Sequence, residues 1–553
     1  MKKLNLIIIL CLMTAAQSYS QFRERVYVMT DKQLYLSGEL MWLKLLTTDE
    51  NGIPVSLSKI GYVELVADST AEVQATLDIV NGEAAGWIEL PRMLPTGYYR
   101  LTAYTRYMRN EGSTAFFQKR IGVINPYIRN ENSFRNDTTT VQNAVPTGNN
   151  ISLTTDRNTY ERRSSGEIRI SGLPAENFKL TVSVVGIDPV FGETSSLLPE
   201  WKKHLDEQHQ LPFASSYLPE YEGHIIEGLL NDATTQTPVN DPNARALLSY
   251  PGDRLQVYGG YPTGDGRLQF ITHASTGKRE MATVVSHLDG KNLRLDIQSP
   301  FAQHNSETLP PLKLDSAMRD FLETRNLVLA AAETYLADSM NRIAKLPQDF
   351  SFQLYKSFPL EEYTRMSRME DLFVEFITMV RIRRTSEGQR FNAMNQNLNG
   401  YAVGNMLALL DNIPVPDHER IIAYDPSLIK TINVYLGKFH FGQQMFDGIL
   451  DIRTLKGDYH GIVFNSATQI IDRRGTQPYR YFYSPVYDDA EPPSRVPDFR
   501  HTLLWEPSIP TEQAPEQSIV FYTSSLTGDY LVTVEAITPS GKTLYGVCTF
   551  QVK

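Results

Sequence analysis

Thr30-Asp31-Lys32-Gln33-Leu34-Tyr35, then Ser37-Gly38-Glu39-Leu40, is matched later by Thr155-Asp156-Arg157-Asn158-Thr159-Tyr160, then Ser165-Gly166-Glu167-Ile168. The two copies lie about 125 residues apart, and self-similarity at a fixed distance marks a repeated domain. In the first copy Gly38 supplies a turn, while Tyr35 and Trp42 supply core bulk. The surrounding sequence reads as strands: Arg25 to Met29, Leu40 to Leu45, Gly61 to Val66, and Tyr98 to Thr105 after a turn at Pro95-Thr96-Gly97. Short strands separated by turn signals predict a β-sandwich. Leu180 to Val185 is a later strand of the second copy.

Composition agrees with this reading. The chain has 553 residues, 41% of them apolar and 10% aromatic, which is enough to bury several cores and excludes wholesale disorder. A net charge of −10 argues against a nucleic-acid-binding protein that works through phosphate contacts. Lys2 and Lys3 precede an apolar run from Leu4 to Met13, and small residues at Ser18 and Ser20 predict signal-peptide cleavage before Gln21. Cys11 follows Leu10 rather than a small residue, which disfavours a lipid anchor. No later stretch approaches the ~20 apolar residues of a membrane helix. Only Cys548 would survive cleavage, so no intrachain disulfide is expected; its alternating setting predicts a small buried side chain.

The motif from Thr30 to Glu39 resembles the opening of the macroglobulin domains of the alpha-2-macroglobulin superfamily, with Gln33 where that family usually has Pro. Phe499 to Pro507 and Phe521 to Tyr530 resemble another such domain. The Cys-Gly-Glu-Gln thioester of that family is absent, so covalent trapping is excluded. His224 to Leu229, Thr237-Pro238-Val239 and the Gly264-Asp265-Gly266 turn are similar to the carboxypeptidase-regulatory-like sandwich, with a generic immunoglobulin-like module as the alternative.

Two helical stripes follow. Met318, Phe321, Leu322, Leu329, Ala332, Leu336, Met340 and Ile343 form one, with Asp315 and Ser316 available as caps; Met369, Leu372, Phe373, Phe376, Ile377 and Val380 form a shorter one. Leu407 to Val415 then reads as a buried strand with an Asp411-Asn412 turn, followed by Ile421 to Lys430, the strand Thr431 to Leu436, and the run Asp447-Gly448 to Thr454. This stretch resembles the plug domain of TonB-dependent outer-membrane receptors, with Asn412 in place of the usual Gly; Asn tolerates left-handed geometry better than most residues. A transport barrel needs roughly twenty strands of about ten residues. Only about a hundred residues follow Thr454, so the plug-like unit is not expected inside a barrel of its own. Together these units resemble large exported proteins of the Bacteroidetes cell envelope.

The expected fold class is therefore mainly β: tandem immunoglobulin-like or macroglobulin-like sandwiches plus a small α+β plug-like domain with a preceding helix. The expected divisions are 1–20 signal peptide, 22–127 sandwich, 128–150 linker, 151–223 second sandwich, 224–310 carboxypeptidase-regulatory-like sandwich, 311–358 helical connector, 359–457 plug-like domain and 458–553 C-terminal sandwich.

The sequence carries no catalytic pattern of the common kinds: Gly-x-Ser-x-Gly, the phosphate-binding loop and His-Glu-x-x-His do not occur. His204 and His209 are five apart, which puts them off a common helical face; a solvated segment is the better reading than a metal site. His440 between Phe439 and Phe441 reads as a structural or surface residue, and the adjacent acids Glu361-Glu362 and Asp488-Asp489 point apart. No catalytic, cofactor-binding or metal-binding residue is assigned, and no cofactor is expected. Tyr98, Tyr99, Tyr104 and Tyr107 suit an interface, with strand core as the plainer reading for at least half of them. Arg381-Ile382-Arg383-Arg384 and Arg473-Arg474 are basic patches in an acidic chain, suited to acidic partners or lipid headgroups, with solvated loops as the plainer reading. The expectation is a non-enzymatic binding scaffold of the periplasm or outer-membrane periphery. Its expected partners are other envelope proteins; the alternative is an accessory subunit of TonB-dependent uptake, docking on a separate outer-membrane barrel.

Overall fold

The computed structural model describes residues 22–127, 150–187, 198–207, 211–252, 254–273, 276–287, 290–312, 314, 319–335, 342–344, 352–386, 388–395, 400–402, 404–487 and 497–553. The expected signal peptide and nearly all of the expected linker fall outside these residues. The fold is mainly β and built from tandem sandwiches. The chain divides into two compact units: residues 1–221, 302–344 and 479–553 form one, residues 222–301 and 345–478 the other.

In the first unit, strands Glu24–Thr30, Leu40–Asp49 and Glu83–Glu89 form one antiparallel sheet. A second sheet runs in the order Leu34–Leu36, Phe117–Ile124, Gly97–Tyr104, Ile60–Ala67, Thr70–Asp78. Glu24–Thr30 is buried along nearly its whole length and does not alternate. The cause is packing on both faces: the Trp201 indole of helix Leu198–Glu207 donates to Val26 O (3.1 Å), and the Tyr27 hydroxyl donates to Glu535 (3.0 Å).

The second sandwich of this unit is discontinuous. Ser165–Ser171 pairs on one side with Ser152–Thr155 and on the other with Glu516–Tyr522. Lys179–Gly186 lies between Thr502–Pro510 and Gly528–Ile537, and Thr543–Val552 continues that sheet to Thr159–Tyr160. One core joins Ile168, Leu180, Val182 and Val184 to Leu503, Phe521, Val532 and Phe550. This corrects the expected division into sandwiches at 151–223 and 458–553. The short strands of 151–186 leave two apolar edges open, and the C-terminal strands close them.

Helix Arg319–Tyr335 packs Leu322 against Leu34, Leu36 and Ile124, and Arg325 pairs with Glu39 at 2.5 Å. Met318, Leu336, Met340, Asp315 and Ser316 lie outside the described residues. Among the described residues no helix is long and apolar enough to cross a membrane.

The second unit contains a further sandwich. One sheet runs Tyr261–Pro262, Arg267–Thr272, His224–Asp232, Leu293–Ile297; the other runs Val257–Gly259, Ala244–Ser249, Lys278–His287, Thr468–Arg474. Thr468–Arg474, expected in the C-terminal domain, is thus the fourth strand of this sheet, and Arg473-Arg474 lies on a paired strand rather than a loop. Residues 352–464 build an α+β module. Its main sheet runs Lys356–Pro359, Ile429–Phe441, Gln444–Thr454, Leu407–Leu410, Ile413–Pro414, with the last two strands joined by the turn Asp411–Asn412. Helix Met369–Glu375 buries Met369, Leu372 and Phe373. It stops short of the expected stripe, since Val380 already opens strand Val380–Thr385, where a β-branched residue fits better than in a helix.

Candidate binding surfaces

The repeated motif folds into the same corner twice. Asp31 accepts from the Tyr35 hydroxyl (2.7 Å) and from Trp42 N (3.1 Å). Asp156 accepts from the Tyr160 hydroxyl (2.6 Å) and from Glu167 N (2.8 Å). A cation covers each ring, Lys32 on Tyr35 at 4.9 Å and Arg157 on Tyr160 at 5.3 Å. The first corner lines a cavity of about 340 Å³ together with Trp42, Arg480, Phe482 and His501. Glu39 borders it, hydrogen-bonded to Leu36 N and paired with Lys32 (2.8 Å) and Arg325. Burial alone would raise the Glu39 carboxyl, but Arg325 and Lys32 outweigh it and hold the pKa at about 2.

A second cavity of the first unit, about 640 Å³, is lined by Arg25, Arg100, Trp201, His204, His304 and Glu307. Its charges are compensated. Arg25 grips Glu111 with both terminal nitrogens (2.7 and 2.9 Å), Arg100 pairs with Glu307, and the His304 imidazole meets Glu64 at 3.0 Å. Glu64 also accepts from Tyr104 (2.5 Å) and Gln74 (2.7 Å). Glu24 accepts from Ser58 and Thr105; its buried carboxyl is raised by desolvation, which those bonds only partly offset. The buried ionisable groups around this cleft therefore clamp distant segments of chain together.

The third cavity, about 310 Å³ in the second unit, is bordered by Tyr258, Tyr261, His273, Phe352, His440 and Phe441. His440, expected to be a structural or surface residue, is exposed on this rim. The nearby Asn412 carries a role that sequence reasoning missed. Its φ of 70° confirms the left-handed turn, yet its amide also donates to Tyr250 O (3.2 Å) and Gly252 O (2.8 Å) and accepts from Arg453 (2.7 Å). A glycine would make the turn but none of these bonds. Asp411 completes the knot, accepting from Thr454 N (2.8 Å), the Thr454 hydroxyl (2.6 Å) and Tyr459 N (2.7 Å).

The four tyrosines do not form one patch. Tyr104 is fully buried and stacked on Phe116 at 4.2 Å, and Tyr99 is 4% exposed with its hydroxyl on Pro95 O. Tyr98 lies under Arg120, and Tyr107 meets Phe213 at 5.4 Å. His204 sits on helix Leu198–Glu207, whereas His209 and Asp488-Asp489 lie outside the described residues. Glu361-Glu362 are exposed on a short helical turn. Cys548 is half-buried against the second sandwich core, and burial pushes its thiol up to about 11. Among the described residues no group of three or more His, Cys, Asp or Glu side chains is arranged to hold a metal.

No family model matches the chain. No curated protein matches it either. Among solved structures, it is similar to Escherichia coli alpha-2-macroglobulin activated by porcine elastase, at 9% identity over 96% of this chain and 44% of that one, TM-score 0.25. Salmonella alpha-2-macroglobulin reacted with methylamine gives 10% identity over 96% and 39%, TM-score 0.22. The Escherichia coli adhesin FdeC gives 11% identity over 52% and 64%, TM-score 0.16. The chain spans less than half the length of the alpha-2-macroglobulins it matches.

Proposed function

We propose that the chain is a non-enzymatic binding scaffold of the bacterial cell envelope, located in the periplasm or at the outer-membrane periphery. The observation that carries this reading is the use made of the buried ionisable groups. Glu24, Glu64, Glu111 and His304 are hydrogen-bonded or ion-paired within the fold, tying chain segments together rather than converging on a reacting position. Sandwiches braced in this way hold loops and sheet edges in fixed positions, which is what a contact surface requires. The reading is tested by fractionation followed by in-cell cross-linking of the tagged full-length chain. Recovery in the periplasmic or outer-membrane fraction with envelope proteins attached is expected; recovery in the cytosol would sink it.

A second reading is an accessory subunit of TonB-dependent uptake. Its support is the turn at Asp411–Asn412, which falls within the residues that resemble a receptor plug. Purification of the full-length chain from solubilised membranes should then enrich a barrel protein over an untagged control, and the absence of such enrichment counts against this reading.

A further inference from the structure

Strand Val380–Thr385 is the edge of a three-stranded sheet whose other strands are Gly388–Asn395 and Gly400–Tyr401, so among the described residues only its inner side is paired. The antiparallel register places Arg383 directly opposite Arg390, with Arg381 two positions along on the same face. Like charges directly opposite one another weaken a sheet, and an anion lying across such a pair relieves that. Arg390 donates to Pro416 O (2.7 Å), and Arg381 rests over the Tyr401 ring at 4.6 Å. Arg383 and Arg384 are exposed, and among the described residues no carboxylate pairs with either. On the other face Ile382 opposite Phe391 anchors the strand to the core of the α+β module, so the edge is held in place.

We propose that this edge receives an acidic, extended segment of a partner protein by strand addition. Backbone groups would pair along Val380–Thr385, and alternate Asp or Glu side chains of the segment would face Arg381, Arg383 and Arg390. Strand addition draws affinity from main-chain hydrogen bonds and selectivity from side chains spaced two apart, the spacing of Arg381 and Arg383. Against a chain that carries −10 overall, the arginines on one face of this edge make it locally basic, which favours an acidic segment here. Basic residues on an edge also discourage self-pairing, and that role alone predicts no ligand. The proposal rests on the binding-scaffold reading and names one of its surfaces.

The test uses full-length protein and fluorescence anisotropy with two labelled peptides. One is Thr-Glu-Val-Glu-Val-Glu-Thr; the other has Pro for both Val residues, equal in charge but unable to complete the backbone pairing. The first is expected to bind, the Pro peptide roughly tenfold or more weakly, and the double variant Arg381→Gln, Arg383→Gln, which removes the two arginines two apart on the proposed face, to lose a similar factor. The Gln pair is chosen over charge reversal to preserve folding, with circular dichroism as the check; Arg383→Gln alone serves if the pair unfolds. Equal binding of both peptides, unchanged binding by the folded variant, no binding at about 1 mM peptide, or equally tight binding to anionic phospholipid vesicles each overturns the proposal. A failed titration leaves envelope localisation and partner capture standing, whereas cytosolic recovery removes those and leaves a positive titration intact.

Discussion

The corners at Asp31 and Asp156 have the same hydrogen bonds and opposite electrostatics. Asp31 is buried and also accepts from the Thr502 hydroxyl at 2.9 Å; desolvation raises its carboxyl in spite of these bonds and the nearby Lys32. At Asp156 burial also pushes upward, but less; the bonds from Tyr160, Glu167 N and Arg157 outweigh it and the carboxyl is lowered. The same local motif is therefore a buried joint between two sandwiches in one place and a surface corner in the other. Context, not local geometry, sets the direction in which the carboxyl shifts.

Removing each aspartate should separate the two roles. Asp31→Ala leaves Trp42 N without this buried acceptor, takes it from the Thr502 hydroxyl and leaves the Tyr35 hydroxyl with Lys32 O alone; it should cost roughly 3–5 kcal/mol, against about 1 kcal/mol for Asp156→Ala. All four tryptophans (Trp42, Trp87, Trp201 and Trp505) lie in the first unit, so urea unfolding followed by tryptophan fluorescence reports that unit alone. Equal losses at the two sites would break the comparison. Asparagine sharpens it. Both Asp31 bonds from Tyr35 and Trp42 end on one oxygen, which Asn retains, while its amide can face Thr502. A carboxyl raised by folding contributes stability below its unfolded pKa and loses it as pH rises through the folded value; a lowered one does the reverse. Asp31→Asn should thus become less costly from pH 4 to pH 8, whereas the cost of Asp156→Asn should hold above about pH 4 and shrink as pH falls below it.

Glu39 supplies the next effect. With a folded pKa of about 2 against an ordinary 4.5, its contribution is present above about pH 4.5 and disappears as pH falls toward 2. Glu39→Gln should cost roughly 3 kcal/mol at pH 7 and much less near pH 3. A pH-independent loss in the same fluorescence assay would show that the ion pairs with Arg325 and Lys32 are not its source.

The second unit offers a smaller, independent effect. Asn412→Gly keeps the left-handed turn and removes the bonds to Tyr250 O and Gly252 O as well as the acceptor for Arg453. A loss of roughly 1–2 kcal/mol is expected. It should appear as faster hydrogen exchange in peptides spanning 244–259, with the tryptophan transition unchanged; unchanged exchange would remove the joint assigned to Asn412.

These residues also show what was legible in the sequence. The Asp-x-x-x-Tyr repeat was real, because its bonded partners lie only four and eleven residues along the chain in both copies. The Ser-Gly-Glu triplets that follow it in sequence are not equivalent. Trp42 N and Glu167 N occupy the same place, so Gly38 (φ 94°) corresponds to Arg163 (φ 53°), not to Gly166. Gly166 is there for space: a Cβ would come within 2.5 Å of the Phe521 ring. The left-handed turn at Asn412 was readable because it is local, but its bonds to residues about 160 positions away were not. The same limit hid the pairing of 151–186 with the C-terminal strands, since two strands with open edges do not name their neighbours. The expected surface sites fared similarly: two of the four tyrosines went into the core, while Arg383 and Arg384 stayed exposed, as an alternating pattern alone could not decide.

The smallest expected effect concerns Cys548, which sits on strand Thr543–Val552 opposite Val532, half-buried rather than sealed in the core. Serine there exchanges a weakly polar thiol for a hydroxyl with solvent still within reach, so Cys548→Ser should cost only about 1 kcal/mol, at the low end for a polar group placed beside apolar neighbours. Reactivity provides the sharper measurement. Thiolate is the nucleophile, and a thiol at about 11 is almost wholly protonated at pH 8, whereas an unfolded cysteine is partly ionised there. Labelling of the native protein with a disulfide reagent should therefore lag far behind labelling in denaturant and should accelerate about tenfold per pH unit between pH 7 and 9. Fast labelling of the native chain at pH 7, with the tryptophan transition intact, would mean that the edge of this sandwich opens. Cys548 would then be an exposed thiol rather than part of the packing that joins the two distant halves of the second sandwich.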